Sequence, residues 1–163
     1  MGGVYDLFGS ELRKTDYYLA FLPLAHILEL VVELALSFYG TTTGYGRIKT
    51  LTDASVRNCF GDIREFKPTI MVAVPAVWEA IRKGIVGKVN KSGTLRKSMF
   101  NGALSIKRAN VPVLKGVVDS VVFSQVRAQT GGRLRLALSG GSALSAETQE
   151  FLSLALVSVI QGL

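Results

Sequence analysis

The chain has 163 residues, 48% of them hydrophobic, with 19 Lys and Arg against 12 Asp and Glu, a net charge of +7, one His and one Cys. That balance excludes a disordered chain and is enough to fill the core of one domain or of a piece of a larger one. A lone Cys59 excludes an internal disulfide and points to an intracellular protein, and a structural zinc site lacks ligands.

The N-terminus MGGVYDLFGSEL has neither the charged start nor the apolar stretch of a signal peptide. Met1-Gly2 opens like a myristoylation signal, but Asp6 stands where Ser or Thr is needed. The most apolar run, Tyr17 to Tyr39, contains Pro23, His26, Glu29 and Glu33. Two central carboxylates would cost roughly 2.5–3.5 kcal/mol each in a bilayer, so a buried strand followed by a helix is the expectation. Tyr18–Leu22 is that strand. The helix runs from His26 to about Phe38, apolar at Leu28, Val31, Val32, Ala35 and Leu36, and stops at Gly40.

Residues 41–50 suit a short extended segment. Asp53 is positioned to cap a helix through Val56, Cys59, Phe60 and Ile63 to about Phe66, broken by Lys67-Pro68. Thr69–Val74 is the clearest strand, β-branched and uncharged, and Pro75 opens a helix carrying Val77, Trp78, Ile81 and Ile85. Further helices are predicted over 94–109 and 117–130, the second closed by Gly131-Gly132. Leu134–Leu138 is a strand that runs into Ser139-Gly140-Gly141-Ser142. Ser145 caps a helix over 146–155, and 157–160 is a last strand. The alternation predicts an α/β fold, a mostly parallel sheet flanked by helices. A buried strand followed by three residues predicts a chain cut mid-domain.

Charge is segregated. Between Ala80 and Val118 there are nine basic residues and no acidic one. The stretch 82–115 suits an anionic lipid surface or a polyphosphate, or is the solvated face of two helices. A nucleic-acid partner is not expected, since no recognition module is visible. His26, just beyond a strand end, could line a pocket, act as a base or hold a structural hydrogen bond. With no second His and no Cys nearby, a metal site with Glu29 and Glu33 is not expected. Those two carboxylates, four residues apart, read as a solvated stripe with Arg47 or Lys49 as partners. The small residues at 140–143 allow a ring or phosphate to approach the backbone, or make an ordinary tight connection.

In order along the chain, YLAFLPLAHILE (18–29), GYGRIKTLTD (44–53), KPTIMVAVPAVWE (67–79) and LSGGSAL (138–144) resemble the eukaryotic long-chain acyl-CoA synthetases, above all the fungal branch. These belong to the adenylate-forming superfamily, and the likeness runs from about Asp16 to Gly162. It implies a fatty acid–CoA ligase using ATP, Mg2+ and coenzyme A. By the same resemblance Gly140, Gly141, Ser142 and Ala143 lie against adenine and the acyl carbonyl, and Gln161 and Gly162 begin a nucleotide-binding segment. His26 lies beside the reacting carboxylate, and Leu28, Val32 and Val74 border the acyl slot. Leu163 stands where the family has Tyr. The phosphate-gripping loop, the Mg-binding Glu and the C-terminal domain with the catalytic Lys have no match here. Residues 1–163 are therefore expected to be the central part of the adenylation domain, an incomplete piece of the large N-terminal domain, inactive alone and holding no metal or catalytic residue of its own. The intact enzyme is expected at a membrane surface inside the cell, with endoplasmic reticulum, lipid droplet and peroxisome all open. A ligase for shorter or aromatic acids, and a non-catalytic lipid-surface module, remain alternative readings.

Overall fold

The computed structural model describes residues 11–54, 56–109, 116 and 118–162. The readings that fall on residues 1–10, Lys115, Val117 and Leu163 lie outside the described residues. Five parallel strands form one sheet in the order β2-β1-β3-β4-β5, with β1 at Tyr17–Ala20, β2 at Thr42–Tyr45, β3 at Ile70–Ala73, β4 at Leu136–Ser139 and β5 at Val159–Gln161. Composition follows position in the sheet. The central strands IMVA and LALS are buried at every residue, whereas the edge strands TTGY and VIQ are largely open. Strands covered on both faces read as continuous apolar runs, and edge strands do not.

The helices are α1 (Ile27–Tyr39), α2 (Asp62–Phe66), α3 (Pro75–Lys91), α4 (Thr94–Arg108), α5 (Ser124–Ala128) and α6 (Ala146–Ala155). Helix α1 connects β1 to β2, outward in one direction. The later crossovers run the other way, from β3 to β4 to β5. Because parallel crossovers are right-handed, this reversal puts α1 on one face and α3 and α6 on the other. Gly40 ends α1 as foreseen. At φ +74 its N–H closes onto the Leu36 and Ser37 carbonyls. Pro75 stands in the first turn of α3, and Trp78, fully buried, donates its indole N–H to the Leu138 carbonyl at 3.1 Å, tying α3 to β4.

Two expected helices are altered. The one expected from Asp53 shrinks to the five residues of α2, with Gly61 as its cap. The Asp53 carboxylate accepts from the Gly61 N–H at 2.9 Å and from Arg64 at 3.0 Å, while Asp62 accepts from the Arg47 N–H at 3.1 Å. Short polar side chains here satisfy loop backbone in place of a helix. The second, over 117–130, contains a π-helical turn at Asp119–Phe123 before α5. That wide turn carries Phe123 into edge-to-face contact with Phe100, 5.6 Å between centroids, and sets Asp119 against Lys107 and Arg127.

At the N-terminal ends of the strands, Asp16 is 2% exposed and gathers three of them. Its Oδ1 accepts from Thr69 Oγ1 at 2.7 Å and from Arg135 Nε at 2.9 Å, its Oδ2 accepts from the Arg13 N–H at 2.8 Å, and a second Arg135 nitrogen completes the pair. Burial pushes the Asp16 carboxyl up, but the hydrogen bonds from Arg135, Thr69 and Arg13 and the Arg135 charge outweigh it and hold it below the usual carboxylate range. The stability it contributes is therefore complete above the ordinary value of 3.8 and is lost as pH falls through the lowered folded value. Asp16→Ala strands Arg135 and should cost about 3 kcal/mol. Urea unfolding at neutral pH measures that loss, and the variant should lack this part of the acid destabilisation.

Candidate functional site

Three strand ends meet above the sheet. β1 leads through Phe21, Leu22 and Pro23 to His26; β3 ends at Val74; β4 ends in the turn 140–143. A Cβ placed on Gly141 would lie 3.6 Å from Val74 Cγ1, 3.7 Å from His26 Cε1 and 3.9 Å from His26 Nε2. Residues 26, 74 and 141, far apart in the chain, are thus one surface. They stand where the strand order reverses, between β1 and β3, and open parallel sheets bind ligands beyond the strand C-termini at such a reversal. β1 and β3 share a single ladder position, Tyr18 with Ile70, whereas β3 and β4 share four.

His26 caps α1, with Nδ1 accepting from the Leu28 N–H at 3.3 Å. A ring nitrogen that accepts carries no proton, so the neutral imidazole holds its proton on Nε2, the nitrogen nearer Gly141. It offers a hydrogen-bond donor to an anion placed between the strand ends.

The glycine turn is pinned on both sides. The Gly140 N–H donates to the Ala73 carbonyl at 3.2 Å, and the Gly162 N–H reaches the Ser139 carbonyl at 3.4 Å. Gly141 has φ +84, a conformation natural to glycine. Gly140 is buried, while Gly141, Ser142 and Ala143 are exposed and form a shelf of small side chains. Ser145 ends the turn by capping α6, accepting from the Thr148 N–H at 3.3 Å. The Gln161 side chain is engaged within the fold: Oε1 accepts from the Leu144 N–H at 3.1 Å and Nε2 donates to Gln149 Oε1 at 2.7 Å. It braces the shelf from β5. Leu28 and Val32 lie in the core at 6% and 4% exposure. The apolar side chains of α1 left open are Ile27, Leu30, Leu34 and Phe38.

Glu29 corrects the expectation of a solvated carboxylate stripe. It is fully buried, Oε1 accepts from the Tyr18 hydroxyl at 2.8 Å, and Oε2 has no hydrogen-bond partner among the described residues. Glu33 accepts from the Tyr45 hydroxyl at 3.2 Å, so the partners are tyrosines from β1 and β2 rather than Arg47 or Lys49. Burial pushes the Glu29 carboxyl up, the Tyr18 hydrogen bond draws it down and the Glu33 charge raises it, to about 7. Sequence reasoning also passed over Ser139, a buried hydroxyl at the foot of the turn with no hydrogen-bond partner among the described residues, and Gln149, which donates to the Val159 carbonyl at 3.1 Å. A polar residue closing the apolar run LALS was the available signal for Ser139.

The profile of the family described as AMP-binding enzyme matches residues 3–163. A long-chain-fatty-acid–CoA ligase of Schizosaccharomyces pombe is 45% identical over 99% of the chain, and a palmitoyl-CoA ligase of Gibberella moniliformis is 48% identical over 99%. The chain spans about a quarter of each, 24% of their length. Among solved structures, the adenylation domain of a carboxylate reductase from Mycobacterium chelonae superposes with a TM-score of 0.64 at 21% identity, covering 91% of this chain and 20% of that one. That likeness shows the fold: a parallel sheet flanked by helices, as expected from the sequence.

The Glu29 geometry generates a pH dependence. With a folded value of about 7 against the ordinary 4.5, the native state keeps its proton where the unfolded chain has lost it. Stability should therefore fall as pH rises from 4.5 to about 7 and level off above. Glu29→Gln should flatten that slope and stabilise the chain by about 3 kcal/mol above pH 7, measured by urea titrations across the range.

Proposed function

The chain belongs to the AMP-binding enzyme family, and from that premise we propose that it forms part of an ATP-dependent long-chain fatty acid–CoA ligase. A carboxylate oxygen of the fatty acid attacks the α-phosphorus of ATP and pyrophosphate leaves. The thiol of coenzyme A then attacks the acyl carbon of the acyl-adenylate and AMP leaves. The 45–48% identity to relatives so named supports the substrate class. The observation that carries the reading is the meeting of His26, Val74 and Gly141 where the sheet reverses.

In this reading the shelf Gly140–Ala143 receives the adenine face, because nothing larger than a methyl or hydroxymethyl group projects from it. Gln161 and Gly162 brace it from β5. His26 donates from Nε2–H to the oxygen that becomes negative beside the α-phosphate, without desolvating a charge of its own. Leu28, Val32 and Val74 border the acyl slot and keep water from the reacting carboxylate. Mg2+ supplies charge neutralisation on the phosphates when bound. Among the described residues no three His, Cys, Asp or Glu side chains come together as a metal site, and the proposal assigns the metal no ligand in this chain. The phosphate-gripping loop, the Mg-holding Glu and the catalytic Lys are proposed to come from outside residues 1–163, which are read as the central part of the adenylation domain. The enzyme is proposed to work inside the cell at a membrane surface, since its substrate partitions into lipid.

The test is palmitoyl-CoA formation from palmitate, ATP and coenzyme A by the full-length gene product. His26→Asn retains an N-cap and removes the Nε2–H donor, so kcat should fall about a hundredfold with little change in melting temperature. Gly141→Asn tolerates the positive φ and adds bulk toward His26 and Val74, so the KM for ATP should rise. Full activity in both variants would overturn the assignment, and a preference for short or aromatic acids over palmitate would overturn the substrate class.

A further inference from the structure

Of the eight described cations of 82–115, Lys83 and Lys88 lie along α3, where Lys88 donates to Gln129 Oε1 at 2.8 Å, and the other six fall into two groups. Arg82 pairs with Glu147, Lys107 meets Asp119 at 2.7 Å, and Arg108 contacts Glu150 at 2.9 and 3.3 Å. These three are neutralised within the helix layer. Lys91, Arg96 and Lys97, around the turn from α3 to α4, are exposed and meet no carboxylate among the described residues. Apolar side chains stand among them: Leu95 is 75% exposed and Met99 48%. Behind this corner a groove of about 360 Å³ opens between α3, α4 and the π-helical turn. Its floor includes Ile85, Phe100 and Val126, with Arg96 and Met99 at its rim.

Lys91, in the last turn of α3, suits its helix dipole, but the other two charges are placed against the fold. Arg96 and Lys97 lie in the first turn of α4, at the positive end of the helix dipole, and no acidic residue offsets them there. Cations kept where they weaken their own helix, beside exposed leucine and methionine, have the complementarity of a surface that is anionic outside and apolar beneath.

We propose that the α3–α4 corner docks on an anionic phospholipid bilayer. Lys91, Arg96 and Lys97 meet the headgroups, Leu95 and Met99 enter the acyl boundary, and the groove receives an apolar segment of lipid. The inference deepens the membrane-surface part of the ligase reading and rests on it, and it replaces the whole basic stretch with three cations and two apolar side chains.

The experiment is flotation of the full-length gene product with phosphatidylcholine vesicles, with and without phosphatidylserine. Binding should require phosphatidylserine and weaken with salt. Lys91→Gln, Arg96→Gln and Lys97→Gln should each lower the partition coefficient about fivefold, and the triple variant about a hundredfold. Lys49→Gln, elsewhere on the surface, should bind as the parent does. Leu95→Ser should weaken binding without altering its salt dependence. The triple variant loses two unfavourable cations at the N-terminus of α4 and one favourable cation at the C-terminus of α3, so it should melt close to the parent, and lost binding then reports the surface and not the fold. Equal binding to neutral vesicles, unchanged binding of the triple variant, or protection of Met99 from oxidative labelling in the lipid-free full-length product would each overturn the proposal. Ligase activity on dispersed palmitate without vesicles separates the two readings. The triple variant should keep it, and its absence from the parent with vesicle binding intact overturns the ligase reading alone.

Discussion

Thr69 joins three strands that no local signal in the chain connects. Its N–H donates to the Tyr17 carbonyl at 2.9 Å, its hydroxyl accepts from the Tyr17 N–H at 2.9 Å and donates to Asp16, and its carbonyl accepts from the Arg135 and Leu136 N–H groups. Asp16 and Arg135, 119 positions apart, close the knot. β1 and β3 share only one ladder position, so this polar knot rather than a long ladder holds the centre of the sheet together. At the opposite ends of the same strands stand His26, Val74 and the glycine turn. Their juxtaposition depends on the register set below.

The two halves of the sheet divide the work. On the α1 side the polar burden is a tyrosine–glutamate pair inside the core, Tyr18 with Glu29. Burial, then the Glu29 charge, drives the Tyr18 hydroxyl above its ordinary range, so it stays a donor. On the other side the acidic residues Glu147, Glu150 and Asp119 are each spent on a nearby cation of the helix layer. Such exposed or half-exposed pairs add little stability. Their effect is to sort the surface, neutral where helices pack and positive at the α3–α4 corner.

Strands β3 and β4, the caps at Gly40, Pro75 and Ser145, and the class of fold were legible because each rests on a local rule of burial, φ or capping. The short α2 was not legible. Asp53 has the same chemistry as a helix cap and as a loop brace, and only the position of Gly61 and Arg64 in space decides between them. Likewise Glu29 at a helical spacing from Glu33 reads as surface, and the pairing with Tyr18 depends on how α1 settles on β1. The site residues His26 and Gly141 were visible as a histidine after a strand and a glycine in a turn. Their proximity is a property of the crossovers, which no spacing encodes.

Trp78 is the only tryptophan in the sequence, is wholly shielded from water and hangs by its indole N–H from the carbonyl of Leu138, one residue before the strand gives way to the shelf. An indole so placed emits at short wavelength, and its emission is sensitive to small shifts in the local electric field. The chain thus carries an intrinsic optical gauge seated directly beneath the strand-end turn, able to register occupancy there without any added dye.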